Sequence, residues 1–199
     1  MAALHGELGR LNSRWCRYLI GDCYLCAMDN KQLNTLLRKE AVSLRICDKV
    51  LGQWNADKGD GELVAMGYKN IDFLLKHHWP SNQTLKNIWP ADFLRSNGVF
   101  VDDRWSVNNP ENSLVLGESK ITMRYNGWNI GRVYVRDNAQ VSITAKNKST
   151  VIVHAFENSS IGIEQHDDAR VVVIRHSDSA VVSQHIGMAK VKDEFGYLD

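Results

Sequence analysis

The residues of this 199-residue chain whose types and spacing could do chemistry begin with two basic sets. Lys31, Arg38, Arg45 and Lys49 recur at helical steps, and so do Arg10, Arg14 and Arg17. On a helix each set makes a stripe able to hold phosphate groups, although any solvated helix face produces the same pattern. Glu40 and Asp48 dilute the charge of the first stripe. Cys23 and Cys26 form a C-x-x-C, with Cys16, Cys47 and His5 as further soft ligands. A helical rise of about 1.5 Å per residue separates Cys16 from Cys23 by roughly 10 Å, too far to share one ion. Cys23, Cys26 and Cys47 are then left to converge, and all three sit on apolar stripes, where thiols pack as buried core side chains. No metal ligand is assigned.

His154, His166, His176 and His185 read as surface histidines of the second half. The acids Asp137, Glu157, Asp167, Asp168 and Asp178 stand where turns start, and turn geometry by itself selects Asp and Asn there. Asp102 and Asp103 are adjacent acids in a loop, which is a poor arrangement for a paired acid and base. Trp79 and Trp89 each precede a proline, the signature of a helix stop covered by an indole. The chain contains no G-x-x-x-x-G-K-[ST], G-x-G-x-x-G or H-E-x-x-H. No catalytic residue, cofactor-binding residue or cofactor is expected.

Two kinds of element must position these residues. Leu4, Leu8, Leu11, Trp15, Leu19, Cys23 and Cys26 fall at helical spacing, and Leu33 to Leu51 repeats the pattern after a cap at Asp29 or Asn30. A third helix is expected from near Glu62 to Pro80, a short fourth after Ser81, and one or two turns over 91–97. Beyond Gly98 the chain reads as strands: 99–101, 114–116, 121–123 and 133–135, at irregular intervals. From Asp137 a ten-residue block then repeats: DNAQVSITAK, NKSTVIVHAF, ENSSIGIEQH, DDARVVVIRH, SDSAVVSQHI. A small residue holds the third position and β-branched residues the fifth and seventh, until Ser183 breaks the series. Such self-similarity marks stacked strands joined by like turns.

Ten residues suit either an antiparallel meander or half a coil of a flattened β-solenoid. The outward residues decide between them. Two sheets would gather Tyr134, Ile152, His154, Val172 and Ile174 on one face, and Ser142, Thr144, Gly162, Glu164, Val182 and Gln184 on the other. One face is then apolar and the other largely polar, a separation with no cause in a meander. The apolar face needs a cover, either the helical half or a second copy of the chain. The expected fold is α+β: a helical bundle over residues 1–98, followed over 99–199 by a short β-solenoid with irregular opening strands and a C-terminal cap.

The blocks resemble the short β-solenoid repeats, of D/N-N-A-x-V-x-V type, of bactofilin-like polymers and uncharacterised phage and mobile-element proteins. The resemblance covers about residues 112–186 and implies a non-catalytic scaffold or binding protein; it carries over no functional residue. The preceding helical half departs from the bactofilin pattern. With 24 Lys plus Arg against 23 Asp plus Glu, no strong field favours nucleic acid or a membrane as partner. No apolar run approaches the roughly 20 residues of a membrane span, no secretory leader is evident, and four unevenly spaced cysteines suit a reduced cytoplasmic protein. The expected function is that of a non-enzymatic binding or assembly protein, homo-oligomeric through the solenoid. The alternatives are a phage or mobile-element protein that sequesters a small nucleotide or inhibits a host protein through the basic stripes and, ranked last, a carbohydrate-active solenoid enzyme.

Overall fold

The computed structural model describes residues 28–198. The expected first helix, with Arg10, Arg14, Arg17, Cys16, Cys23 and Cys26, lies outside the described residues. Among those described, six short helices come first: α1 (Asn30–Ser43), α2 (Asp48–Gln53), α3 (Asp60–Lys69), α4 (Ile71–His77), α5 (Asn82–Ile88) and α6 (Ala91–Ser96). The Asp29 carboxylate accepts from the Gln32 N–H while the Gln32 side chain accepts from the Asp29 N–H, so two donors are satisfied at the start of α1. Ser81 caps α5 through the Thr84 N–H, as its position implies.

Two of the expected helices are each broken in two. The chain leaves α1 at Leu44, passes through Arg45 at φ 63° and resumes as α2. A second break falls at Asn70, whose side-chain amide donates to the Met66 carbonyl. Apolar spacing hides both breaks, because Leu33, Leu37, Ala41, Ile46 and Val50 all reach one core although the backbone turns between them.

After α6 come eleven strands: β1 (Val99–Val101), β2 (Arg104–Asn108), β3 (Asn112–Leu116), β4 (Lys120–Tyr125), β5 (Ile130–Val135), β6 (Gln140–Ala145), β7 (Thr150–Ala155), β8 (Ser160–Gln165), β9 (Arg170–Arg175), β10 (Val181–Ile186) and β11 (Lys190–Asp193). They alternate between a six-stranded sheet, β1-β3-β5-β7-β9-β11, and a five-stranded sheet, β10-β8-β6-β4-β2. Every pairing is parallel, and Val133, Val153 and Val173 lie side by side at 20-residue steps. This is a β-solenoid of about four turns, longer than the repeats alone imply. The first coil is shorter, with Val99 on Leu114 and Arg104 on Lys120, which is why the opening strands show no ten-residue register. β2 and β11 form where the sequence pattern marks no strand.

The fifth and seventh block positions are the interior. Val141, Ile143, Val151, Val153, Ile161, Ile163, Val171 and Val173 are almost wholly buried, each such side chain contributing roughly 1.5–3 kcal/mol. Ala139, Ser149, Ser159 and Ala169 are buried at the corners. Asp137, Asn147, Glu157 and Asp167 open the turns at φ 53–64°, the left-handed region where Asn and Asp are tolerated, and Gly117, Gly127 and Gly187 do so elsewhere.

The fifth block departs from this pattern. Four residues separate β8 from β9, but five separate β9 from β10, so Ala180 rather than Ser179 takes the buried corner. Val182 then pairs with Ile161 and Gln184 with Ile163. Both therefore lie on the inward side, opposite to the outward placement expected from an unbroken ten-residue count, because a one-residue slip exchanges the two faces of a strand.

The helices share a core with the outer face of the six-stranded sheet: Leu37, Trp54, Leu75 and Trp89 pack with Val99, Val101, Leu114, Leu116, Tyr134 and Phe156. The helical segment thus covers the first strands of the apolar face. Tyr134 is buried, while Ile152, His154, Val172 and Ile174 remain half-buried.

Candidate functional site

Lys31, Arg38, Arg45 and Lys49 are all exposed, but they stand on α1, on the turn after it and on α2, so they form no single helical stripe. Cys47 is exposed at the start of α2 rather than buried. Trp79 donates to Glu40 Oε2 at 3.0 Å and packs on Trp54 and Phe73; Trp89 is buried. Both indoles serve packing. Between them lies an apolar cavity of about 70 Å³, lined by Trp54, Leu75, Trp79, Trp89, Leu114 and Arg136. It has room for about two waters, against the roughly 300 Å³ or more of a small-molecule pocket, so a nucleotide does not fit there.

The acids of the turns bind backbone. Asp137 Oδ2 accepts from the Gly117 N–H at 2.6 Å, Glu157 Oε2 from Asp137 at 3.2 Å and Asp167 Oδ2 from Asn147 at 3.1 Å, each closing onto the neighbouring coil. Asp102 and Asp103 diverge. Lys86 holds the Asp102 carboxyl below its usual range, and a two-pronged contact from Arg95, 2.8 Å at each oxygen, does the same for Asp103. They are helix-to-solenoid ties and do not face one another as acid and base.

One polar cluster is assembled by the tertiary structure. His78 follows α4 in a left-handed conformation (φ 48°), and its Nε2 lies 2.9 Å from Glu157 Oε1. Asp137 is one coil from Glu157, and a ligand atom from each of the three lies within 4.8 Å of the other two. Tyr197 Oη donates to Glu157 Oε1 and lies 3.3 Å from His78 Nε2. Asp137 also accepts from Asn82 Nδ2 at 2.7 Å and pairs with Arg136 Nε at 3.0 Å. The Arg136 guanidinium is buried and reaches the Leu74 and Leu75 carbonyls near the end of α4. Partial burial acts against the Asp137 carboxylate, but these donors prevail and hold it below its usual range.

An aromatic column runs alongside. Tyr134 stacks on His154 at 5.1 Å, His154 on His176 at 5.2 Å, His176 on Phe156 at 4.3 Å and Phe156 on Tyr197 at 5.7 Å. His154 Nδ1 and His176 Nε2 are 2.9 Å apart, so one donates and the other accepts. Burial pushes the His154 imidazole down to about 4, with the neighbouring His176 and Arg132 adding to the shift, and burial also lowers His176. These two are therefore not surface histidines. A 20-residue coil places position 154 beside 174, and His176 reaches back from the turn beyond it.

The two ends of the solenoid differ. At the first, α5 and α6 lie against β1, and Arg95 covers the Trp105 ring at 4.3 Å. β2 ends its sheet with an unpaired edge there, as β10 and β11 do at the last end. Around β10 and β11, Val181, Ile186, Met188 (87% exposed) and Phe195 (64%) are exposed, and Val191, on the inward side beside Val173, is left partly uncovered. Among the described residues no helix is long and apolar enough to cross a membrane. No family model, no curated protein and no solved structure matches the chain, so the architecture rests on its own residues and geometry.

Proposed function

We propose that the chain is a non-enzymatic binding or assembly protein that self-associates through its solenoid, and that the contact is the open end formed by β10 and β11. The observation that carries this reading is the pair of unpaired strand edges amid exposed Ile186, Met188, Val191 and Phe195. Open edges in natural β-proteins are normally covered or charged; β11 carries Lys190, Lys192 and Asp193, but β10 carries no Lys, Arg, Asp or Glu, and a second copy of the same end supplies a cover by two-fold symmetry. The repeat type, resembling that of bactofilin-like polymers, supports association in the solenoid half. At the other end helices lie against β1, while β2 also ends its sheet with an unpaired edge; the reading of a dimer rests on the apolar residues gathered at the β10 and β11 end.

Size-exclusion chromatography with light scattering tests it. The expected mass is twice 22.6 kDa at micromolar concentration, falling to 22.6 kDa in Met188→Lys with Phe195→Lys. A wild-type mass of 22.6 kDa at every concentration refutes it. The alternative of a sequestered phosphate ligand or an inhibited host protein rests on the exposure of Lys31, Arg38, Arg45 and Lys49 and is the weaker reading, because these residues share no single helical face.

A further inference from the structure

We propose that His78, Asp137 and Glu157 form a binding site for one divalent transition-metal cation of the zinc type. The three residues offer an imidazole nitrogen and two carboxylate oxygens, the donor set such ions take when a fourth position is left to water. Ligand atoms around tetrahedral zinc stand about 3.3 Å apart, from bond lengths of about 2.0–2.1 Å. Here His78 Nε2 and Glu157 Oε1 are 2.9 Å apart, and all three ligand atoms lie within 4.8 Å of one another. Closing on an ion requires side-chain shifts on the order of 1 Å.

Asp137 retains capacity for the ion. A carboxylate offers about four lone-pair sites, and Arg136, Asn82 and the Gly117 N–H engage three. The two carboxylates against Arg136 leave the cluster with one net negative charge, which a divalent cation offsets. Tyr197, hydrogen-bonded to Glu157 Oε1, orients that carboxylate toward His78.

Position 157 adds an independent argument. The other left-handed turn openers from 137 to 187 are Asp137, Asn147, Asp167 and Gly187, types suited to that backbone, whereas Glu157 holds φ 53°. Asp at 157 would make the same bond to the preceding coil, as Asp137 and Asp167 do in theirs. The longer side chain makes that bond and also meets His78 and Tyr197, which come from segments distant in sequence. An ion there ties the end of α4 to two successive coils.

The test uses the full chain, stripped of metal with a chelator and titrated with Zn2+ by calorimetry, with Co2+ absorption to report nitrogen and oxygen ligation. Two variants remove ligands with residues that suit a left-handed backbone: His78→Asn and Glu157→Asn. Wild-type protein is expected to bind one equivalent of zinc that either variant loses or holds at least tenfold more weakly. Zinc is expected to raise the wild-type melting temperature, and neither variant's. If both variants fold by circular dichroism and bind the same number of ions with unchanged affinity, the metal is held elsewhere and the proposal is overturned. Absence of zinc binding by the wild-type chain overturns it as well.

Discussion

Acidification from pH 7 to pH 5 should destabilise this protein through its histidine pair, before its carboxylates are affected. His154 is held at about 4 in the folded protein against 6.5 when unperturbed, so folding favours the neutral ring. A group with a depressed folded value contributes stability that is fully present above its unfolded value. For an imidazole this contribution is lost as pH falls from 6.5 toward 4. At pH 5 the unfolded ring is almost fully protonated and the folded ring almost neutral, so unfolding takes up nearly one proton at this site. Integrated from pH 7 to pH 5, that is a loss of about 2 kcal/mol. His176 is shifted in the same direction and adds to the loss. The groups facing His154 agree in sign, since both Arg132 and His176 disfavour its charge. Asp102, Asp103 and Asp137, all held below 3.8, lose their contribution only at lower pH. Urea unfolding followed by circular dichroism at pH 7, 6 and 5 measures the slope. His154→Phe, which keeps a ring on Tyr134, should lose most of the pH dependence in this window. An identical slope in the wild type and the variant would refute the assignment to His154.

Gly131 faces the interior of β5, and a methyl there would lie 2.3 Å from Tyr125 Cε1. Gly131→Ala should therefore cost about 1–3 kcal/mol by overpacking, and in a Tyr125→Leu background it should cost less; equal penalties by denaturant titration would show that the Tyr125 ring is not the obstacle. The slipped register of β10 separates two neighbouring valines. Val182→Asp, on the inward side opposite Ile161, should lower the melting temperature by several degrees, and by more than Val181→Asp, which is outward. The reverse order would restore the unbroken ten-residue count.

By itself the sequence determined the period, the handover near Gly98 from helices to strands, and the side on which residues 133 to 173 point. Those are local properties: left-handed turn openers, small corner residues and β-branched alternation have the same physical cause in every coil. It also separated the two sheets, because outward side chains 20 residues apart share one environment. Tertiary structure decided the rest. The breaks at Arg45 and Asn70 are invisible to apolar spacing, since both segments of each pair feed one core. The slip before β10 depends on one extra turn residue that the block count absorbs without a visible mismatch. Glu157 beside Asp137 was legible once a 20-residue coil was accepted, both being block openers. His78 was not, because its place beside them depends on how α4 lies across the outer face of the sheet. No repeat encodes that contact; it follows from burying Leu75, Leu85 and Trp89 against Leu114, Leu116 and Tyr134.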